Sequence, residues 1–223
     1  YGVLVLLLSA GGCTSFELFR RWVVSDKKIL ELEKATKQTE LQQLKKQINP
    51  HFLFNMLNNA NILVKDAPDE ASQILEKLDN LLRYQLNDST RREVFLTADI
   101  QFLTSFLELE KVRRDHFEYT IFQEGNMENI CIPPLLFIPF VENAVKHNLD
   151  SDNLSYVHLY FSVHNKQLTF RCENSKPRVP VKREGGIGLA NVKRRLDLLY
   201  ESRYTLQIED KETTYNVNLH LNL

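Results

Sequence analysis

Apolar and polar positions divide the chain into four stretches. The first sixteen residues, Tyr1 to Phe16, carry no charge. From Ser25 to about Ile48 there is no Gly or Pro, and Lys, Glu, Gln and Leu dominate. Leu30, Lys34, Lys37, Leu41, Leu44 and Ile48 recur there at steps of four and three. That spacing is a heptad seam with a polar middle, compatible with a parallel helical dimer and equally with a solvated single helix. Asn49-Pro50 interrupts, and helix resumes to about Val64, because proline lacks an N–H and fits the first position of a helix that Asn49 can cap. Asp66 to Asp69 reads as a turn. An amphipathic helix then runs from about Glu70 to Leu86, with Ile74, Leu78, Leu81, Leu82 and the Tyr84–Leu86 run on its apolar side. Two such helices cannot bury themselves, whereas duplicating them makes a four-helix bundle.

The pattern changes past Arg92. Thr97 to about Arg114 predicts a third helix, with Ile100, Leu103, Phe106, Leu107 and Val112 on one side. Period-2 alternation predicts strands at Phe117–Phe122, at Val157/Leu159/Phe161/Val163 and at Leu168/Phe170/Cys172, the last two joined as a hairpin at Asn165-Lys166. Pro134 to about Asn148 and Leu189 to Tyr200 read as helices. Two more strands, Tyr204/Leu206/Ile208 and Tyr215/Val217/Leu219/Leu221, end the chain. Each strand offers one apolar face, which helices can cover. The expected fold class is α+β, with a helical region followed by a two-layer α/β sandwich.

Composition adds limits. The 223 residues are 43% hydrophobic and 26% charged, and 28 Lys plus Arg nearly balance 29 Asp plus Glu. No long basic stripe appears, so direct binding to nucleic acid is not expected. Cys13, Cys131 and Cys172 are odd in number and widely spaced, as reduced small hydrophobes rather than a disulfide framework or metal site. The uncharged start would span about 24 Å as a helix, short of a bilayer core of about 30 Å. Arg20, Arg21, Trp22, Lys27 and Lys28 follow it, as at a cytoplasmic membrane face. Residues 1–24 are therefore expected to be the end of a transmembrane helix with its juxtamembrane basic segment. A lipoprotein signal ending at Cys13 in "LLLSAGGC" and a buried apolar segment are the competing readings.

Three constellations carry candidate chemistry. In "NPHFLFN" a histidine, His51, sits at a helix start among Phe, Leu and Asn. "PFVENAVKHN" (139–148) sets Glu142, Asn143, Lys146 and His147 into an otherwise apolar helix. Helical spacing puts Asn143 on one face with Lys146 and with His147. An amide oxygen suits Mg²⁺ and a neighbouring lysine can offset phosphate charge, while Lys and His near a helix end can equally serve its dipole. "EGGIGLANVKRRL" (184–196) places Gly185, Gly186 and Gly188 before a helix, where bare N–H groups can approach an anion. A flexible turn explains such glycines as well. The polar loop "KPRVPVKRE" before them could act as a lid.

Taken in order, "NPHFLFN", "RY" at Arg83-Tyr84, "IPPLLFIPFVENAVKH" and "GGIGLANVKRRLDLLY" closely resemble the LytS-type sensor histidine kinases, from about residue 41 to the C-terminus. The resemblance implies a signalling helix at 25–48, a dimerisation and phosphoacceptor region at 49–92, and a GHKL-type (Bergerat-type) ATP-binding domain at 93–223. It implies His51 as the phosphate-accepting residue, with Asn55 and Glu142 joining it in catalysis, and Asn143 as the Mg²⁺-binding asparagine. Lys146, His147, Gly185, Gly186, Gly188, Leu189 and Asn191 fall where the family holds ATP. The implied function is autophosphorylation of His51 from ATP-Mg²⁺, then transfer to an aspartate of a response regulator, for which a LytTR-type receiver is one candidate. A homodimer at the bacterial cytoplasmic membrane, with this region facing the cytoplasm, goes with that reading.

The sequence departs from the family's pattern in three places, one of them Glu212-Thr213, where relatives often show glycine-threonine. Phe52 stands where many histidine kinases carry an acid after the histidine. Asn174, followed by Ser175 and Lys176, stands where relatives read the adenine amino group with an aspartate; strand parity from Leu168 through Cys172 assigns it there. An amide oxygen still accepts a hydrogen bond but brings no charge. Two other functions compete with an active kinase. One is a signalling scaffold whose ATP domain has decayed, and the other is a GHKL ATPase that never phosphorylates a histidine.

Overall fold

The computed structural model describes residues 2, 20, 22, 28, 50–88, 91–148, 154–177 and 187–223. The chain divides into two compact units, 1–46 and 47–223. Of the first unit, Gly2, Arg20, Trp22 and Lys28 are described, all helical and exposed. The expected membrane segment and heptad seam otherwise lie outside the described residues. No helix among the described residues is long and apolar enough to cross a membrane.

The second unit opens with helix α1 (Pro50–Asp66) and helix α2 (Pro68–Asn87), separated only by Ala67. Proline at the first turn of each supplies the fixed φ that a helix start needs. Asp69 and Glu70 add negative charge at the positive end of α2. Phe52, Met56 and Ala60 of α1 are buried at steps of four, and Ala71, Ile74, Leu78, Leu81 and Tyr84 make the buried side of α2. Helix α3 (Leu96–Val112) receives this hairpin: the Phe52 and Phe106 rings lie 4.9 Å apart, and Tyr84 stacks on Phe102 at 4.8 Å. Ahead of α3, strand β1 (Val94–Phe95) pairs antiparallel with the later β3 (Cys131–Ile132).

The main sheet has five strands: β2 (Phe117–Glu124), β4 (Ser155–His164), β5 (Gln167–Ser175), β6 (Tyr204–Asp210) and β7 (Thr214–Asn222). Their order is β2-β4-β5-β7-β6, with β2 parallel to β4 and the other neighbours antiparallel. A parallel pair needs a crossover, and here it carries helix α4 (Ile138–His147). The β4–β5 turn has Asn165 and Lys166 at φ 48° and 64°, the left-handed values that match a tight hairpin to strand twist. Helix α5 (Ile187–Tyr200) joins β5 to β6.

One face of the sheet is mostly apolar. Val157, Leu159, Phe161, Leu168, Phe170, Cys172, Val217, Leu219 and Leu221 are buried there. Phe137 meets Phe161 edge-on at 5.2 Å and Phe170 at 4.5 Å, and Phe140 meets Phe170 at 5.8 Å, so the start of α4 is riveted to the sheet centre. The opposite face carries His158, Tyr160 and Arg171, so the architecture is the expected two-layer α+β sandwich. Two expectations need correction. Residues 134–137 are not helical but a turn with Leu135 at φ 55°, and the helix begins at Ile138. β1 and β3 were not anticipated.

Candidate nucleotide and phosphoacceptor site

Helix α4 carries Glu142, Asn143 and His147 half-buried and Lys146 exposed. Both of its ends are fixed. At the entry, the fully buried Asp99 of α3 accepts the Leu135 N–H at 3.0 Å, while Arg195 of α5 donates to the Leu135 carbonyl at 2.6 Å and to that of Pro134. At the exit, Arg114 donates to the Val145 carbonyl and to Asn148 Oδ1, each at 2.9 Å. The buried Asn148 donates in turn to the Tyr156 carbonyl at 3.2 Å, tying the helix end to β4. Arg114 also pairs with Glu110 at 3.1 Å and lies over the Phe117 ring. The bare carbonyls at a helix end are thus met by a buried cation.

Asn174 lies on the inner face of β5, in step with Leu168, Phe170 and Cys172. It stands between Val157 and Tyr215 and is 1% exposed. Its Nδ2 donates to the Ser175 carbonyl at 2.8 Å, and its buried Oδ1 has no hydrogen-bond partner. Leaving a buried acceptor unpaired costs about 1–3 kcal/mol, so this oxygen favours any ligand that brings an N–H. An adenine amino group fits that demand. Among the described residues no group of three or more His, Cys, Asp or Glu is arranged to hold a metal. A Mg²⁺ carried on phosphates needs few protein ligands, and the Asn143 amide oxygen is of the right chemical type.

Glu142 lines a small pocket with Phe52 and Leu53 of α1, Leu81 and Gln85 of α2, Phe102 and Phe106 of α3, and Ile138. Burial first, and the nearby charge of Glu110 second, push its carboxyl up to about 7. The helix bearing Asn143 therefore meets the first turn of α1, where His51 stands. The His51 side chain lies outside the described residues. Asn55, one turn on, is half-buried. Gly185 and Gly186 also lie outside them. Gly188 and Leu189 belong to the first turn of the 14-residue α5, and Asn191 is half-buried just beyond. Gly188, expected before the helix, thus lies within its first turn, where backbone N–H groups have no partner inside the helix.

Asp99, Arg114 and Arg195 escaped the sequence reading. An acid on the apolar stripe of α3, one residue before Ile100, was the available signal for Asp99. The two arginines sat in runs that look like ordinary surface charge.

A helical hairpin docked on a sheet-and-helix module, with an asparagine-bearing helix at the junction, defines a class. Residues 39–117 match the histidine kinase family, and the chain belongs to it. Among its relatives, the sensor protein LytS of Staphylococcus haemolyticus is 30% identical over 203 residues, which are 84% of this chain and 35% of that protein. The sensor histidine kinase YpdA of Escherichia coli is 31% identical over 119 residues, 53% of this chain and 21% of that protein. The chain thus spans about a third or less of these relatives' lengths. Among solved structures, the histidine kinase domain of the blue-light activated histidine kinase of Erythrobacter litoralis is 16% identical, covering 85% of this chain and 93% of that one with a TM-score of 0.47.

Proposed function

We propose that this chain is the kinase part of a two-component sensor, which phosphorylates His51 from ATP and passes the phosphoryl group to an aspartate on a response regulator. Residues 49–92 serve as the dimerisation and phosphoacceptor region and 93–223 as the ATP-binding domain, held at a bacterial cytoplasmic membrane through 1–24. The reading rests above all on one observation, the pocket in which Glu142 of α4 meets Phe52 and Leu53, the two residues that follow His51. A neutral imidazole nitrogen is a competent nucleophile near pH 7 and needs positioning more than activation. The bond to the γ-phosphorus forms as its bond to the bridging oxygen breaks, and ADP leaves.

The remaining residues divide the work. Asn174 Oδ1 accepts from the adenine amino group. Gly185, Gly186 and Gly188, with Leu189 and Asn191 behind them, bring backbone N–H groups to the phosphates. Lys146 and His147 offset phosphate charge, and Asn143 offers an amide oxygen to Mg²⁺. Bound Mg²⁺ would neutralise the charge that develops on the phosphate oxygens. Asn55 and Glu142 flank the acceptor on its own helix and on α4.

Incubation with γ-labelled ATP should give acid-labile label that His51→Gln abolishes, and Asn143→Ala should lower both labelling and nucleotide affinity by about tenfold or more. Label surviving in His51→Gln rejects that residue as the acceptor. Absence of measurable nucleotide binding leaves the scaffold reading, and phosphate release independent of His51 leaves the ATPase reading.

A further inference from the structure

The arginine-tyrosine pair at positions 83 and 84 has no part in the mechanism above, yet Tyr84 reaches deep into the molecule. Its hydroxyl donates to Asp99 Oδ1 at 2.7 Å, across from α2 to α3. The same carboxylate oxygen accepts the Leu135 N–H at 3.0 Å. Leu135 is the left-handed residue of the turn that launches α4, and its carbonyl is held from the other side by Arg195 of α5 at 2.6 Å. A non-glycine residue at positive φ persists only where its surroundings hold it. Here those surroundings are Asp99 and Arg195, and Tyr84 supplies a donor to the same Asp99 oxygen, while Oδ2 is buried without a partner.

We propose that Tyr84 and Asp99 form a latch, in which a single carboxylate oxygen ties the phosphoacceptor hairpin to the turn that sets α4, so that hairpin position and nucleotide-site geometry change together. The inference rests on the kinase reading for what α4 binds, but the latch itself is a property of the chain without ligand. Tyr84 and Asp99 act as positioning residues. When the hairpin moves away, Asp99, fully buried with Oδ2 already unpartnered, loses the Tyr84 donor, and the carboxylate that holds the Leu135 N–H is no longer fixed in place. Conversely, nucleotide that stiffens α4 holds Leu135 and Asp99 in place and so favours the docked hairpin.

Peptide-resolved hydrogen exchange on the full chain tests this, with and without ATP-Mg²⁺. Tyr84→Phe keeps the ring on Phe102 and removes only the donor. It should speed exchange roughly tenfold both in 50–87 and in 135–141. Nucleotide should slow hairpin exchange in the wild type and not in Tyr84→Phe. Asp99→Asn, which still offers an oxygen to both donors, should fall between them, and the double variant should be less than the sum of the two. An effect confined to the peptide around residue 84, or hairpin protection by nucleotide undiminished in Tyr84→Phe, overturns the latch. Should nucleotide protect nothing in the wild type, the ATP-binding reading fails and the ligand-free comparison decides the latch by itself. Should Tyr84→Phe not fold, Asp99→Asn decides, since the latch requires it to alter both segments.

Discussion

At the residue scale, surroundings decide what a side chain can do, and the two described thiols differ accordingly. Cys172 lies on the inner face of β5 and is buried, while Cys131 in β3 is exposed. Burial first, and then the charge of Glu173, push the Cys172 thiol up to about 12. A free thiol ionises near pH 8.5 to 9, so between about pH 9 and 12 the unfolded chain releases a proton that the folded one keeps. Stability from this group is therefore complete below about pH 9 and is lost as pH rises, by up to about 1.4 kcal/mol per pH unit. Denaturant titrations at pH 8 and 10 should show this loss in the wild type and a shallower one in Cys172→Ala. Alkylation at pH 8 with peptide-resolved mass spectrometry should mark Cys131 in the native protein and Cys172 only after unfolding.

At the element scale, α4 depends on partners from α3, α5, β4 and β5 and on Arg114 just beyond α3. Arg114→Ala would strip two hydrogen bonds from its exit and leave Glu110 and Asn148, both buried, short of a partner. The expected cost is about 3 kcal/mol, read as a lower thermal midpoint, and Arg114→Lys should recover little because an ammonium cannot span both acceptors as a guanidinium does. Elements of this kind show how far the sequence could be read. All five strands of the main sheet and the Asn165-Lys166 hairpin were legible because alternation repeats over many residues, and the inward facing of Asn174 was legible because parity carries along a strand. Two-residue strands such as Val94–Phe95 have no period to detect. The turn at 134–137 read as helix because Leu135 gives no sign of a positive φ; its neighbours impose it. The clamps were hidden for a related reason, since Asp99 and Arg195 stand 96 positions apart and only the fold makes them neighbours of one turn.

On the scale of the whole molecule, the hairpin leaves apolar surface uncovered. Phe54, Leu57 and Val64 of α1 are 66%, 47% and 52% exposed, and Leu75 and Leu86 of α2 are 45% and 61% exposed. Leu57 and Val64 are seven residues apart, the step of a helix–helix seam. A second copy of the hairpin is the occupant that the kinase reading requires, and a four-helix bundle would bury these side chains. Leu57→Lys with Val64→Lys should weaken the dimer at least tenfold in sedimentation equilibrium while leaving the far-ultraviolet helical signal unchanged. A monomeric wild type would reject the dimer outright.

Under the proposed reading, in which Asn174 meets the adenine amino group, the amide at position 174 has an outcome for base selection. With its nitrogen committed to the Ser175 carbonyl, the group leaves its buried oxygen as the unpaired atom and is hindered from turning to offer a donor instead. Hypoxanthine, whose exocyclic carbonyl oxygen replaces the amino group, would confront it lone pair to lone pair, so inosine triphosphate should compete poorly with ATP in displacement titrations. Since an amide does not titrate, this contact should also persist in acidified buffer, at about pH 4, where an aspartate would be half-neutralised.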